Sequence, residues 1–285
     1  MSKSFLIVDS GATKADWVVV KDSKVIFDFS TVGINVTYQN RYEIEEVLED
    51  VVRQMGEAEA KNVEKIFFFG AGCGNKANTE ILFEVLNSNF KLAEIKIESD
   101  LLAACQALCG REKGWVAILG TGAASCLYDG EKIIKQTPSL GYLLGDEGSG
   151  TYLGKLFLTK YLQKALPQSI KEDFETKFKL SHLKVLENLY QKPFPNRFIS
   201  SFAPYISSHI ENPFIYSLCQ QNFERFFQVN LDYYSNYVQS ELNILGSIAF
   251  NFREIIEKVA KQYEVKINNI EKSPISGLIK MYSHV

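Results

Sequence analysis

The chain has 285 residues, 46% apolar and 23% charged, which excludes a disordered chain, a collagen and a coiled coil and predicts about two domains. Its 31 Lys and Arg against 34 Asp and Glu leave a net charge of −3, no footprint for a polyanion, so nucleic acid is not an expected partner. The apolar run Phe5–Val8 is too short for a signal peptide, and no apolar stretch approaches the ~18 residues of a membrane span, so a cytoplasmic location without a membrane partner is expected. Five cysteines without a CxxC pair and three scattered histidines predict buried free thiols rather than a disulfide framework or a zinc site.

In chain order, Ser4–Asp9 is a strand ending in DSG, and Asp16–Lys21 and Lys24–Phe29 form a hairpin about Asp22-Ser23. Ile44, Val47, Leu48, Val51, Val52 and Met55 recur at helical spacing, predicting a helix over 42–59. Lys65–Phe69 is a continuous apolar run, as suits a strand covered on both faces. A helix over 78–87, a strand over 94–98 and a helix from Leu101 follow. From Gly114 the pattern restarts. Trp115–Leu119 ends in GTG, then come Ala124–Tyr128 and Lys132–Gln136 about Asp129-Gly130. After a long stretch, a strand over 244–249, a helical stripe from Phe252 to Tyr263, a strand over 265–270 and a helix over 276–282 complete the repeat. The recurring order predicts an α/β chain built by internal duplication. The stretch between the third strand and the next is helical, punctuated by prolines and aromatic-rich; its aromatic residues are expected to be core.

Four segments carry candidate chemistry. In Asp9-Ser10-Gly11-Ala12-Thr13-Lys14, Gly11 lets the backbone approach a ligand, Thr13 and Lys14 offer a hydroxyl and a cation to phosphate, and Asp9 suits hydrated Mg²⁺. A DSG turn with a capping aspartate reads equally well from these residues. Gly120-Thr121-Gly122 occupies the same place in the second half; two such turns suit a polyphosphate held by backbone N–H groups, and match neither a Walker A loop nor a Rossmann fingerprint. Asp146 and Glu147, flanked by glycines before a helix, are either a capping box or a bond to a polar substrate. Asp100, between a strand and a helix, is either an N-cap or a general base at a carboxyl edge of a sheet.

Together, DSGATKADW, ESDLLAA, LGTGAAS, LLGDEGSG and LGSIA resemble the actin/heat-shock/sugar-kinase superfamily, and within it the N-acetylglucosamine kinase-like branch of the BadF/BadG/BcrA/BcrD ATPase family. The resemblance implies two ribonuclease-H-like (actin-like ATPase) domains: 1–113 with the C-terminal helix 274–285, and 114–273 with a helical insert over 147–240. It implies ATP and Mg²⁺ as cofactors and a small sugar as substrate, and leaves a homodimer open. By resemblance Asp9 is the Mg²⁺-associated acid; Gly11, Thr13, Lys14, Gly120, Thr121 and Gly122 face phosphate; Gly246 and Ser247 form the adenosine motif. Asp100 is the catalytic base, and Asn35, Gly70, Ala71, Asp100 and Asp146 line the sugar pocket. The chain departs from the family in Ser10-Gly11-Ala12, where consecutive glycines are common, in Gly70-Ala71-Gly72-Cys73, and in the single glycine before Ser247. The implied activity is ATP-dependent phosphorylation of an amino sugar such as N-acetylglucosamine. The alternatives are an ATPase activator of a radical dehydratase, which needs cluster-ligating cysteines, and a non-catalytic nucleotide- or sugar-binding sensor.

Overall fold

A computed structural model describes residues 4–234 and 241–283; the expected end of the insert, at residue 240, lies outside them. The chain opens with β1 (Ser4–Ser10), β2 (Lys14–Lys21) and β3 (Lys24–Val32), then α1 (Arg41–Met55), α2 (Glu57–Ala60), β4 (Val63–Gly70), α3 (Glu80–Asn89), β5 (Glu94–Ser99) and α4 (Asp100–Cys109). β1 pairs antiparallel with β2 and parallel with β4; β2 pairs antiparallel with β3, and β4 parallel with β5. Asp22 and Ser23 both take positive φ, 49° and 61°, the primed turn whose twist matches the strands it joins. The helix expected over 42–59 is broken: Gly56, at φ 84°, ends α1 at Met55, and α2 is a separate turn.

Successive residues of β4 point to opposite faces, which explains its continuous apolar run. Ile66 and Phe68 join Leu6, Val8, Trp17 and the inner stripes of α1 and α3. Phe67 and Phe69 join Ile7, Ala103, Leu278 and Tyr282 on the other side. Each such phenylalanine contributes about 1.5–3 kcal/mol by leaving water.

The second half runs β6 (Gly114–Leu119), β7 (Ala123–Tyr128) and β8 (Ile133–Gln136), then α5 (Gly141–Leu144), α6 (Gly150–Leu162), α7 (Gln168–Phe178), α8 (His182–Tyr190), α9 (Pro195–Ser200), α10 (Ala203–Ser208) and α11 (Pro213–Tyr234). It closes with β9 (Leu242–Leu245), α12 (Ser247–Asn251), α13 (Arg253–Gln262), β10 (Ile267–Glu271) and α14 (Ile275–Tyr282). The two sheets have the orders β3-β2-β1-β4-β5 and β8-β7-β6-β9-β10. Each strand of the second sheet holds the place of the strand five before it, as the repeated order predicts. The strand expected over 244–249 stops at Leu245, because Gly246 turns the chain at φ 122° into α12. Aromatic residues of the insert are core: Phe174 is fully buried, its ring 4.8 to 5.4 Å from those of Phe157, Tyr161, Phe178, Phe202 and Tyr205.

The chain divides into two compact units, residues 1–114, 128–134 and 273–285 in one, and 115–127 and 135–272 in the other. The β7–β8 turn groups with the first unit for a local reason. The Tyr128 hydroxyl donates to the Gly110 carbonyl at 3.2 Å, and a Cβ at Gly130 would fall 2.3 Å from the Arg111 carbonyl oxygen. α14 packs on α4 just as closely, since a Cβ at Gly277 would fall 2.3 Å from the Ala107 oxygen. No described helix is long and apolar enough to cross a membrane.

Candidate functional site

In the first unit the three parallel strands end level, Ser10 opposite Gly70 and Gly70 opposite Ser99. Asp9 comes one residue before the first of these ends and Asp100 one residue after the third. Val32, the end of β3, pairs with Lys14 at the same edge. The edge therefore gathers Asp9, Gly11, Thr13, Lys14, Asn35, Gly70, Ala71 and Asp100, at the carboxyl ends of parallel strands where open α/β sheets take ligands.

Two residues that sequence reasoning passed over hold this edge together. Ser10 is fully buried; its hydroxyl donates to the Ile34 carbonyl at 3.0 Å and accepts the Ile34 N–H at 2.8 Å, while its carbonyl accepts the Ala71 N–H at 3.0 Å. One serine thus clips three loops. Gly33 donates to the Thr13 carbonyl at 3.2 Å, and a Cβ there would stand 2.1 Å from the Gly11 oxygen. Nothing in their sequence neighbourhood signals either contact, because each partner lies about twenty residues or more away. Asn35 is held by its own loop: its side-chain oxygen accepts the Thr37 N–H at 3.0 Å, and its N–H donates to Gln39 at 2.6 Å. A Cβ at Gly72, where φ is 83°, would lie 3.1 Å from the Asn35 side-chain oxygen, so the Asn35 loop abuts the Gly70–Gly72 turn.

The N-cap reading of Asp100 is corrected. Ser99 caps α4, its hydroxyl accepting the Leu102 N–H at 3.2 Å, and Asp100 is the first helical residue, accepting the Leu101 N–H at 2.8 Å. Burial raises the Asp100 carboxyl above the ordinary carboxylate range, against the pull of the Leu101 N–H. Asp9 is pushed up to about 7, mostly by burial, then by the negative charges of Asp100 and Asp16, with Lys14 opposing. Lys14 is itself paired with Asp16 at 2.7 Å on an exposed flank. The described residues contain no cluster of three or more His, Cys, Asp or Glu fit to cage a metal. Mg²⁺ does not require one: it binds through one or two carboxylates plus waters and phosphate, and two desolvated carboxylates with an excess of negative charge suit it.

In the second unit the turn Gly120–Gly122 closes on itself, the Gly120 N–H donating to the Gly122 carbonyl at 3.0 Å. The first N–H groups of α6 take its outer carbonyls, Gly150 to Gly120 at 2.9 Å and Thr151 to Thr121 at 3.1 Å. Gly246 underlies it, since a Cβ there would lie 2.4 Å from the Leu119 oxygen, and Ser247 follows as the first residue of α12. A Cβ at Gly120 would meet nothing within 4 Å, so the space over the turn is open. Of the two readings of Asp146 and Glu147, the capping box is corrected: α6 begins at Gly150 and is capped by Ser149, whose hydroxyl accepts the Tyr152 N–H at 3.0 Å. Asp146 stands ahead of it at φ 63°, its carboxylate accepting the Ala123 N–H at 3.3 Å and lying 3.2 Å from where a Gly122 Cβ would be. Burial raises Asp146, opposed by the Ala123 N–H and by Lys155. Asn222, unmarked in the sequence, is fully buried and accepts the Gly148 N–H at 3.0 Å, fixing the loop from below.

Beside this turn the second unit holds a cavity of about 520 Å³ walled by Ala123, Leu140, Asp146, Glu147, Arg225 and Tyr233, within the range of small-molecule sites. Cys219 lies in the core of the same unit, its thiol pushed by burial up to about 12. Enclosed there, it reads as a structural thiol.

No family model and no curated protein matches the chain. Solved structures do. A Porphyromonas gingivalis protein described as a candidate N-acetylglucosamine kinase is 39% identical, with a TM-score of 0.94 over 99% of this chain and 100% of its own. A candidate N-acetylglucosamine kinase from Chromobacterium violaceum is 14% identical, with a TM-score of 0.73 over 98% of both chains. A ROK-family glucokinase from Streptomyces griseus, solved with glucose and AMPPNP, is 15% identical, with a TM-score of 0.58 over 100% of this chain and 99% of its own. These last two share the fold.

Proposed function

Since the chain belongs to the N-acetylglucosamine kinase-like family of the actin-like ATPase superfamily, we propose that it is an ATP-dependent kinase of an amino sugar, N-acetylglucosamine or a related hexosamine. The observation that carries this reading is the level ending of β1, β4 and β5, with Asp9, Asp100 and the Asn35 loop on one edge. Asp100 accepts the proton of the attacking sugar hydroxyl, and its raised carboxyl brings it nearer the pKa a base needs at neutral pH. Transfer is in line, with little covalent chemistry for the protein to perform, so positioning carries much of the catalysis. Asn35, Gly70, Ala71 and Asp146 orient the sugar. Gly11, Thr13 and Lys14, with Gly120, Thr121 and Gly122, receive the phosphate chain, and Gly246 and Ser247 the adenosine. Asp9 would hold Mg²⁺, which would supply charge neutralisation to the phosphate oxygens. A cytoplasmic location, where ATP is at hand, goes with this reading.

The test is ADP release, coupled to a spectrophotometric readout, over N-acetylglucosamine, glucosamine, N-acetylmannosamine, N-acetylmuramic acid and glucose. Release above the ATPase background with at least one hexosamine is expected. No increase with any of them overturns the assignment.

A further inference from the structure

The loop that presents Asp146 is weakly held by apolar packing. α5 buries none of its residues fully, and Leu143 and Leu144 are 73% and 78% exposed. Asp146 takes a left-handed backbone at φ 63°, a conformation uncommon for residues with a side chain and best tolerated by Asn and Asp. A cation from a different element reaches this loop. Lys155, on the second turn of α6, sends its ammonium back over the helix N-terminus, where it donates to the Tyr142 carbonyl at 2.5 Å and lies 5.0 Å from the centre of the Tyr152 ring. Half-burial depresses this ammonium, and the carboxylates of Asp146 and Glu147 counter that by holding its charge. A strongly hydrated cation is thus partly withdrawn from water where one carbonyl of the loop accepts its hydrogen bond and two carboxylates of the same loop act on its charge at longer range.

We propose that Lys155 is a positioning residue for sugar binding: it ties α6 to the 141–147 loop and so fixes the Asp146 carboxylate against the second glycine turn. The kinetic part of this proposal rests on the sugar-kinase reading; the tether does not. Lys155→Met keeps the aliphatic stem and helix propensity while removing the charge and the donors, and Lys155→Arg keeps both. Hydrogen exchange on the whole protein is expected to quicken over 141–147 in the Met variant, to stay unchanged over α7, and to return to the wild-type pattern in the Arg variant. Unchanged exchange over 141–147 in Lys155→Met overturns the tether. In steady-state kinetics the sugar KM is expected to rise roughly tenfold in Lys155→Met, with the ATP KM unchanged, little loss of kcat, and recovery in Lys155→Arg. A fall in kcat with an unchanged sugar KM overturns the positioning role. Should Lys155→Met fail to fold, Lys155→Gln, which keeps a donor without the charge, takes its place in both measurements. If wild-type protein phosphorylates none of the sugars, the kinase reading fails, and the exchange pattern alone decides the tether.

Discussion

The two glycine turns occupy equivalent places in two sheets of the same topology, yet they are built by different physics. The first turn is an electrostatic construction: Asp9, Asp16 and Asp100 crowd it with negative charge, Lys14 pairs with Asp16 and opposes the shift of Asp9, and burial pushes Asp9 up to about 7. The second is a steric one: Gly246 packs close on the Leu119 backbone, Gly122 lies against Asp146, the α6 N-terminus takes the turn's carbonyls, and the space over Gly120 stays open. A duplicated fold therefore need not duplicate its chemistry. Topology sets where strand ends meet, and the side chains at those ends decide whether the edge offers charge or bare backbone.

The comparison is broken most severely at Asp100. Asp100→Asn removes a proton acceptor from the charged edge and leaves the Ser99 cap intact, so kcat should fall roughly 10²- to 10⁴-fold with the ATP KM little changed. Thermal melts supply the control: Asp100→Ala should lose activity with little loss of stability, whereas Ser99→Ala should cost about 1 kcal/mol. An Asn variant keeping more than about a third of wild-type kcat would send the search for the base elsewhere.

The next largest effect belongs to Asp9 and reads out as a pH dependence of stability. The folded protein holds the Asp9 proton to about pH 7, and the unfolded chain releases it near 3.8. The stability contributed by neutral Asp9 is complete below pH 3.8 and is lost as pH rises through about 7, an amount of up to about 4 kcal/mol. Urea melts of the ligand-free protein should therefore weaken across that window, and Asp9→Asn should flatten the trend. Asp100, raised in the same direction, keeps some slope in the variant. A slope unaltered by Asp9→Asn would remove Asp9 as its source.

Glycine substitutions sharpen the contrast on the steric side. At the first turn the essential absence of a Cβ is at Gly33, 2.1 Å from the Gly11 oxygen, and not at Gly11, whose Cβ would sit at 3.6 Å. Gly33→Ala should cost about 1–3 kcal/mol by overpacking, and Gly11→Ala under about 1 kcal/mol; equal melting temperatures for the two variants would contradict the packing.

A modest effect on ligand binding is expected at the second turn, where a Gly122 side chain would press on the Asp146 carboxylate from 3.2 Å. Gly122→Val should weaken ATP binding about tenfold, or 1.4 kcal/mol, with circular dichroism unchanged. Calorimetry giving wild-type ATP affinity would take this turn out of the nucleotide site.

The sequence by itself determined the strands, the hairpins and the duplication. Period-two burial, the Asp22-Ser23 turn and the repeat of strand, glycine turn and hairpin are local properties that a few neighbouring residues specify. It also marked most candidate residues, since glycines and acids just beyond a strand are conspicuous in a linear chain. What only the tertiary structure decided are contacts between segments distant along the chain. Ser10 acts through Ile34 and Ala71, Gly33 through Gly11, Asn222 through Gly148, and Gly246 through Leu119. The caps followed the same division. Ser99 and Ser149 resemble any serine before an acid or a glycine, and which residue closes a helix depends on where the preceding chain is released from its strand or loop. Asp146 makes the point most fully: its acid-glycine setting announces a helix start, but a fold that packs its carboxylate on Gly122 and Ala123 draws it out of the helix and onto the turn, because a half-buried carboxylate takes donors wherever the assembled backbone offers them.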